Sequence, residues 1–409
     1  MTARVLSAPW VLPGRPDRPG APATALPDAA VALEDGVVIA VGPREAVERR
    51  HGPGERFDAV ILPALVNAHL HLELSHMKGR VAGGEGLAAW IALFVSSRPL
   101  TRQGEAEEAM AMAAEDLRRA GVAAVGDVSN TLASLDPLAR AGLCGTVFHE
   151  VFGFPPERLE RLALGARAER ARRGPPPPGL RVLESPHAVY STHRQGLEIL
   201  LRAGGSIHLA EDPAERAFVR DGTGPFRRMH EAVGGTDVDL LRVRGRSPVA
   251  AVAPLLSARH LAVHCVDLDD EDVSLLARSG ATAVLCPRSN RYISGLRPPL
   301  PALLEAGVPL AVGTDSLASS PSLSPLADLA LLGREFPMIP ASRLLPLAWN
   351  GAAVGAPHVG RLSPGSAPGV LAAPLDGARP TDPFQHLLDR FGAEERPLTW
   401  LAQNAVEAS

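Results

Sequence analysis

Residues 66–79 read VNAHLHLELSHMKG and follow directly on the apolar run ILPAL. Three histidines and a glutamate thus crowd into ten residues at the point where a hydrophobic segment ends. Such side chains are costly to bury unless something pairs with them. His69 and His71 stand two apart, so on an extended chain both imidazoles project to one face and reach one point. A strand that ends in a pair of potential metal ligands sets the question for the rest of the chain: whether other strands end the same way.

Seven more apolar runs follow at regular spacing: VAAVGDV (122–128), GTVFHEVF (145–152), LRVLESPH (180–187), SIHLAE (206–211), LAVHCV (261–266), TAVLCP (282–287) and PLAVGTD (309–315). Amphipathic stretches separate them, such as GEAEEAMAMAAEDLRRAG before Val122 and DEDVSLLARSG before Ala281. Repeated βα units of this kind predict an α/β fold with a parallel sheet, here a (β/α)8 TIM barrel over residues 59–358. In that fold reactive groups collect at the C-terminal ends of the strands. His69, His71, His187, His208, His264 and Asp315 all fall at or just past such an end.

Three neutral imidazoles (His69, His71, His208) and a carboxylate such as Asp315 form a set of N and O donors suited to one divalent ion per chain, zinc first and iron(II) as the other choice. His208 opens IHLAED, which puts Glu211 three residues beyond a ligand, where it can take a proton from water and hand it to a leaving nitrogen. The plainer reading of Glu211, Asp212 and Glu215 is an acidic first helical turn favoured by the helix dipole. His264, in AVHCVD, is either a hydrogen-bonded core histidine or a group that orients the attacking water. Asp315, in VGTDS, is either a helix N-cap or a ligand that also accepts a proton.

Composition narrows the partners. Apolar residues make up 46% and charged residues 21%, as in ordinary globular chains, and the formal net charge of −4 offers no basic surface for nucleic acid or an anionic membrane. A small-molecule substrate is the expected partner; a homodimer is compatible with the sequence but not required by it. Three widely spaced cysteines fit a reducing compartment, hence the cytoplasm, better than a disulfide framework. VLSAPWVLPG near the start is interrupted by Pro9 and makes a poor signal peptide, and no run approaches the roughly 20 apolar residues that span a bilayer.

Residues 1–58, with the hairpin-like VALEDGVVIAVG, and a returning segment at 359–374 are expected to form a small β-sandwich domain. The tail 375–409 offers a turn and a short helix. GPPPPG (174–179) and the Gly-rich, charged region 212–247 read as loops.

PALVNAHLHLELS, SPHAVYST, IHLAED, AVHCVD, LCPRSN and VGTDSLASSPSLS, in this order and spacing, resemble the amidohydrolase superfamily, in particular its cytosine deaminase, adenosine deaminase-like and chlorohydrolase branch. The resemblance covers about 30–370 and implies a mononuclear-metal barrel carrying a β-sandwich from both chain ends. It places metal ligands on His69, His71, His208 and Asp315, the proton-shuttling acid on Glu211 and the water-orienting histidine on His264. HLELS, EVFG (150–153), CPRSN (286–290) and GTDSLASSPSLS (313–324) are further similar to the aminodeoxyfutalosine deaminases of menaquinone synthesis. The implied reaction is hydrolytic loss of ammonia from C6 of a 6-aminopurine nucleoside, with water activated by the metal. Deaminases of adenosine, S-adenosylhomocysteine or other amino-heterocycles, chlorohydrolases and cyclic amidases share the apparatus. An idle ligand-binding barrel has no need of Glu211 beside the metal.

Around that substrate, His187 is a candidate for a ring nitrogen or the leaving amine. Glu73, one extended step past His71, is a candidate for a ribose hydroxyl. Arg288, Ser289 and Asn290 follow strand seven and suit a carboxylate or sugar, although Asn290 also suits a turn. Trp90 is a core residue or a lid over the base. Ser319 is expected to hold the Asp315 carboxylate, while His149 and Glu150 read as structural.

Overall fold

The computed structural model describes residues 3–97, 102, 104–232, 234–235 and 245–404. The first strands are β1 (Arg4–Val11), β2 (Leu26–Glu34), β3 (Val37–Pro43), β4 (Glu55–Arg56) and β5 (Ala59–Pro63). Asp35 (φ 50°) and Gly36 (φ 82°) both take positive φ between β2 and β3, the two-residue turn whose twist suits an antiparallel hairpin. The barrel strands are β6 (Leu65–Leu70), β7 (Val122–Ser129), β8 (Cys144–Val151), β9 (Leu180–Pro186), β10 (Gly205–Leu209), β11 (His260–His264), β12 (Thr282–Leu285) and β13 (Leu310–Val312). β14 (Pro368–Pro374) and β15 (Thr399–Asn404) complete the set.

All eight barrel strands lie on the apolar runs, and neighbours pair in parallel as β6-β7-β8-β9 and β10-β11-β12-β13. The two halves meet at two seams. At one, His208 N donates to His187 O at 2.9 Å; at the other, Thr314 N donates to His69 O at 2.9 Å. These seams lie beside the histidines, so the closure of the barrel and the geometry of the site depend on the same backbone. Gly313 illustrates how tightly: a Cβ there would stand 2.7 Å from His69 Cβ, so only glycine lets β13 pack against β6.

The terminal strands form one seven-stranded sheet in the order β15-β14-β5-β1-β2-β3, with β4 on β1. The run expected as a single barrel strand near 61–69 is therefore two strands. Pro63 ends β5, Ala64 N turns to Gly369 O (3.1 Å) in the terminal sheet, and Leu65 N turns to Gly121 O (2.9 Å) in the barrel. In the tail, the expected helix is Pro383–Leu387, and β15 adds an edge strand that the sequence did not suggest.

The region 212–247 is not a plain loop. Helices run over Pro213–Asp221 and Pro225–Ala232, each opening on proline at its first position, where its missing N–H costs nothing. Residues 233 and 236–244 of that region lie outside the described residues. Cys144, Cys265 and Cys286 are free and buried, and among the described residues no helix is long and apolar enough to cross a membrane.

Candidate metal centre and active site

His69 is the last inward residue of β6 and is fully buried, yet neither of its ring nitrogens has a hydrogen-bond partner among the described residues. Around it lie the rings of His71 (4.9 Å between centroids), His208 (5.0 Å) and His264 (5.7 Å). Asp315 Oδ1 stands 3.7 Å from His69 Nε2 and 3.5 Å from His71 Nε2. Orphaned imidazole nitrogens in a dry site cost free energy unless a cation takes their lone pairs.

Backbone contacts decide which nitrogens are free. His208 Nδ1 lies 2.9 Å from His187 O, and a carbonyl only accepts, so Nδ1 carries the proton and Nε2 presents its lone pair. That Nε2 is 3.2 Å from His71 Nε2. Burial and the neighbouring imidazoles hold His208 well below the usual histidine range, and His71 down to about 3. Burial raises the carboxyl of Asp315, but the imidazoles of His69, His71 and His264 outweigh this and hold it well below the usual carboxylate range. Imidazole nitrogens and a carboxylate oxygen brought together in this way make the donor set a divalent ion requires. His69, His71 and Asp315 offer donor atoms within 4.8 Å of one another, and so do His69, His208 and His264. The residues fit a metal.

Asp315 is steadied from behind: Ser289 Oγ (2.5 Å) and Ser319 Oγ (2.8 Å) both donate to its Oδ2, leaving Oδ1 toward the histidines. Ser319 stands where the sequence places it; Ser289, expected with Arg288 and Asn290 to meet a carboxylate or sugar of the substrate, holds the carboxylate of Asp315 instead. Left-handed φ at Ala210 (52°), His264 (75°) and Asp315 (58°) turns the chain sharply at three strand ends. Non-glycine residues hold that conformation at a cost, one commonly met where side chains must be aimed.

Glu211 and His264 face each other, Glu211 Oε1 3.6 Å from His264 Nε2. Burial, and then the charges of Asp315, Glu215 and Asp212, push the Glu211 carboxyl well above its ordinary range, so it can hold a proton at neutral pH. Glu211 N donates to Glu215 Oε2 at 3.0 Å, which fixes the backbone of the loop. Burial lowers His264 to about 4. Asn290 Nδ2 lies 3.1 Å from His264 Nδ1; an amide N–H donates, so the proton of His264 is on Nε2, toward Glu211. Asn290 thus serves His264 rather than a sugar.

His187 joins the same wall, its ring 4.8 Å from that of His208 and its Nδ1 2.6 Å from Ser191 Oγ. Two other expected residues point elsewhere. Glu73 does not continue the alternation, because the chain leaves β6 at Leu70 and enters a 3-10 turn, Leu72–Met77. Its carboxylate accepts from Asn130 N (2.9 Å), Thr131 Oγ1 (2.8 Å) and Ala133 N (3.1 Å), and from Ser129 Oγ, so it clasps the 129–133 loop. Arg288 gives its guanidinium to Asp328, Ser322, Ser324 and Glu395, with no donor left for a substrate. Trp90 is buried in the helix Leu87–Ser97 and stacks on Phe94 at 5.4 Å.

Glu150 belongs to the site, against its structural reading in the sequence. Period-2 alternation along β8 sends His149 Nε2 out to Asn130 O (3.2 Å) and Glu150 inward, with Oε1 3.7 Å from His208 Nδ1. Glu150 shares a face of β8 with the buried Phe148, two residues before it, and that period is the signal that could have found it.

Comparison with known proteins accords with this geometry. Over 334 residues the chain is 32% identical to an aminodeoxyfutalosine deaminase of Deinococcus radiodurans, covering 77% of this chain and 78% of the relative. Over 412 residues it is 32% identical to a 5-methylthioadenosine/S-adenosylhomocysteine deaminase of Nitratidesulfovibrio vulgaris, covering 93% and 87%. The crystal structure of Helicobacter pylori aminofutalosine deaminase in complex with methylthio-coformycin has the same fold, with a TM-score of 0.78 at 22% identity over 98% of each chain. The amidohydrolase family model matches residues 60–372, which span the barrel and every histidine of the site, and the chain belongs to the amidohydrolase family.

Proposed function

We propose that this chain is a metal-dependent hydrolytic deaminase of a 6-aminopurine nucleoside, with aminodeoxyfutalosine of menaquinone synthesis as its substrate. The observation that carries the hydrolytic part is the unpartnered, fully buried His69 ringed by His71, His208 and Asp315, with Glu211 and His264 opposed beside it. The choice of substrate is supported by the likeness to the D. radiodurans relative.

His69, His71, His208 and Asp315 would hold the ion, zinc suiting the N and O donors. When bound, it supplies the Lewis acidity that makes water a nucleophile at neutral pH. Glu211 gives its proton to the ring nitrogen next to C6, which draws electrons from that carbon and opens it to attack. His264 Nε2–H holds the oxygen of the incoming water, and Asp315 accepts its proton. Asp315 returns the proton it took to the exocyclic nitrogen, Glu211 regains a proton from the hydroxyl now on C6, ammonia leaves, and the ring is restored as the 6-oxo product with both carboxyl groups as they began. His187 reaches a ring nitrogen from the adjacent strand end.

A second reading is deamination of 5-methylthioadenosine or S-adenosylhomocysteine, supported by the N. vulgaris relative, which aligns with 93% of this chain. Ultraviolet absorbance of the metal-quantified protein with aminodeoxyfutalosine, adenosine, 5-methylthioadenosine and S-adenosylhomocysteine decides between them. Rapid loss of the adenine spectrum with aminodeoxyfutalosine alone supports the first reading. Preference for either thioether nucleoside supports the second, and no change with any of the four refutes both.

A further inference from the structure

Glu150 stands at the C-terminal end of β8, next to His187 on β9 and His208 on β10. Its side chain is only 6% exposed. Oε2 accepts from Asn130 Nδ2 at 3.0 Å, but Oε1 is buried with no hydrogen-bond partner among the described residues. The nearest nitrogen, His208 Nδ1 at 3.7 Å, is too far for a hydrogen bond and spends its proton on His187 O. No Lys or Arg of the described residues pairs with Glu150. A carboxylate oxygen left like this is under-solvated, which makes it a strong acceptor for any donor that reaches it.

The three residues Glu150, His187 and His208 bring donor atoms within 4.8 Å of one another, but they do not make a second metal site. His208 Nδ1 is protonated toward the carbonyl of His187, and its Nε2 faces His71. What remains on this wall is an acceptor, Glu150 Oε1, separated from the metal-facing nitrogens by the width of the His208 ring. A reacting amine belongs on the far side of that ring. The donors a nucleoside carries away from its reacting carbon are its sugar hydroxyls.

Resting on the deaminase reading, we propose that Glu150 Oε1 is a recognition point that accepts a hydrogen bond from a sugar hydroxyl of the substrate, and so selects ribonucleosides over deoxynucleosides. Asn130 positions it by holding Oε2.

The test compares wild type with Glu150→Gln and Glu150→Ala on aminodeoxyfutalosine, adenosine and 5-methylthioadenosine, and on the 2′-deoxy and 3′-deoxy forms of whichever of these turns over, with metal content measured for each protein. In Glu150→Gln the amide oxygen stays with the Asn130 donor and the N–H2 takes the place of Oε1, so an acceptor becomes a donor. The expected result is a KM raised at least about tenfold, kcat within about threefold, and metal unchanged. In wild type one deoxy form shows the same rise in KM, and that form loses nothing further in the variants. An unchanged KM overturns the proposal, as does a fall in metal content, which would make Glu150 a support of His208. The deoxy comparison needs no variant, and a wild type indifferent to both deoxy forms also overturns it. A wild type inert toward every nucleoside refutes the deaminase reading itself, and the subsite with it.

Discussion

The carbonyl oxygen of His187 stands 2.9 Å from His208 Nδ1, and this contact assigns the proton of a buried imidazole. With Nδ1 committed, the Nε2 lone pair faces the site 3.2 Å from His71 Nε2. His264 is fixed the opposite way, its Nδ1 held by Asn290 and its proton on Nε2. The two rings lie 5.6 Å apart, one prepared to give a lone pair and the other a proton.

This difference separates their variants. His208→Ala is expected to lose the metal on dialysis, while His264→Ala keeps close to one equivalent and loses turnover. Metal analysis beside an ammonia-release assay distinguishes them; equal metal loss in both would place His264 among the ligands.

Glu211→Gln should retain metal with turnover reduced at least about 100-fold, the lower end of what a positioned acid–base group contributes. The amide cannot give up the proton that the buried carboxyl holds. Turnover close to wild type would remove Glu211 from the reaction.

Asp315 Oδ2 receives two hydroxyl donors, so either serine alone is replaceable. Ser319→Ala should lower metal affinity slightly, and the Ser289→Ala/Ser319→Ala pair by about 10- to 100-fold, the range for partners that hold a ligand in place. Competition with a chelator measures this. Additive single effects, rather than a larger combined one, would mean the hydroxyls act independently.

Strand ends make most of this arrangement legible in advance. The barrel strands are short, strongly apolar and separated by capped helices, so their positions follow from the pattern alone, and with them the convergence of His69, His208, His264 and Asp315. Ala64 is illegible as a boundary because the apolar run AVILPALV passes through it without a polar break; only the partners of Ala64 N and Leu65 N divide the two strands. Glu73 is misplaced when alternation is carried past the last strand residue. Arg288 is misplaced because a guanidinium beside a site looks the same in sequence whether its donors are free or spent on Asp328 and Ser322. β15 escapes notice because TWLAQN shows neither alternation nor a continuous apolar run, and its strand character comes from pairing with β14.

Asp127, fully buried on β7, accepts from Leu72 N at 2.8 Å through Oδ1, while Oδ2 has no hydrogen-bond partner among the described residues. Burial pushes its carboxyl from 3.8 up to about 8. Between those values the folded chain keeps a proton that the unfolded chain has released, so this group's contribution to stability falls as pH rises. Asp127→Asn keeps the acceptor for Leu72 N and removes the titration. Its unfolding free energy relative to wild type should improve by at least about 1.4 kcal/mol from pH 4 to 8, the free energy of a tenfold difference in proton affinity between the folded and unfolded chain. Parallel stability curves across that range would show that Asp127 stays ionised in the folded protein.

Glu73 separates a loop clasp from a substrate contact. Its carboxylate gathers donors from Ser129, Asn130, Thr131 and Ala133, turning the end of β7 back over the 3-10 turn that follows His71. Glu73→Ala leaves several of these without an acceptor, at a cost of about 1–3 kcal/mol because the loop is partly solvated. Glu73→Gln, which keeps one acceptor oxygen, should recover about half. Thermal unfolding then shifts in the order Ala, Gln, wild type, while KM stays within about threefold, because no oxygen of Glu73 is left over for a ribose. A KM that rises steeply at unchanged unfolding temperature would return Glu73 to the substrate and show that the 129–133 loop holds itself.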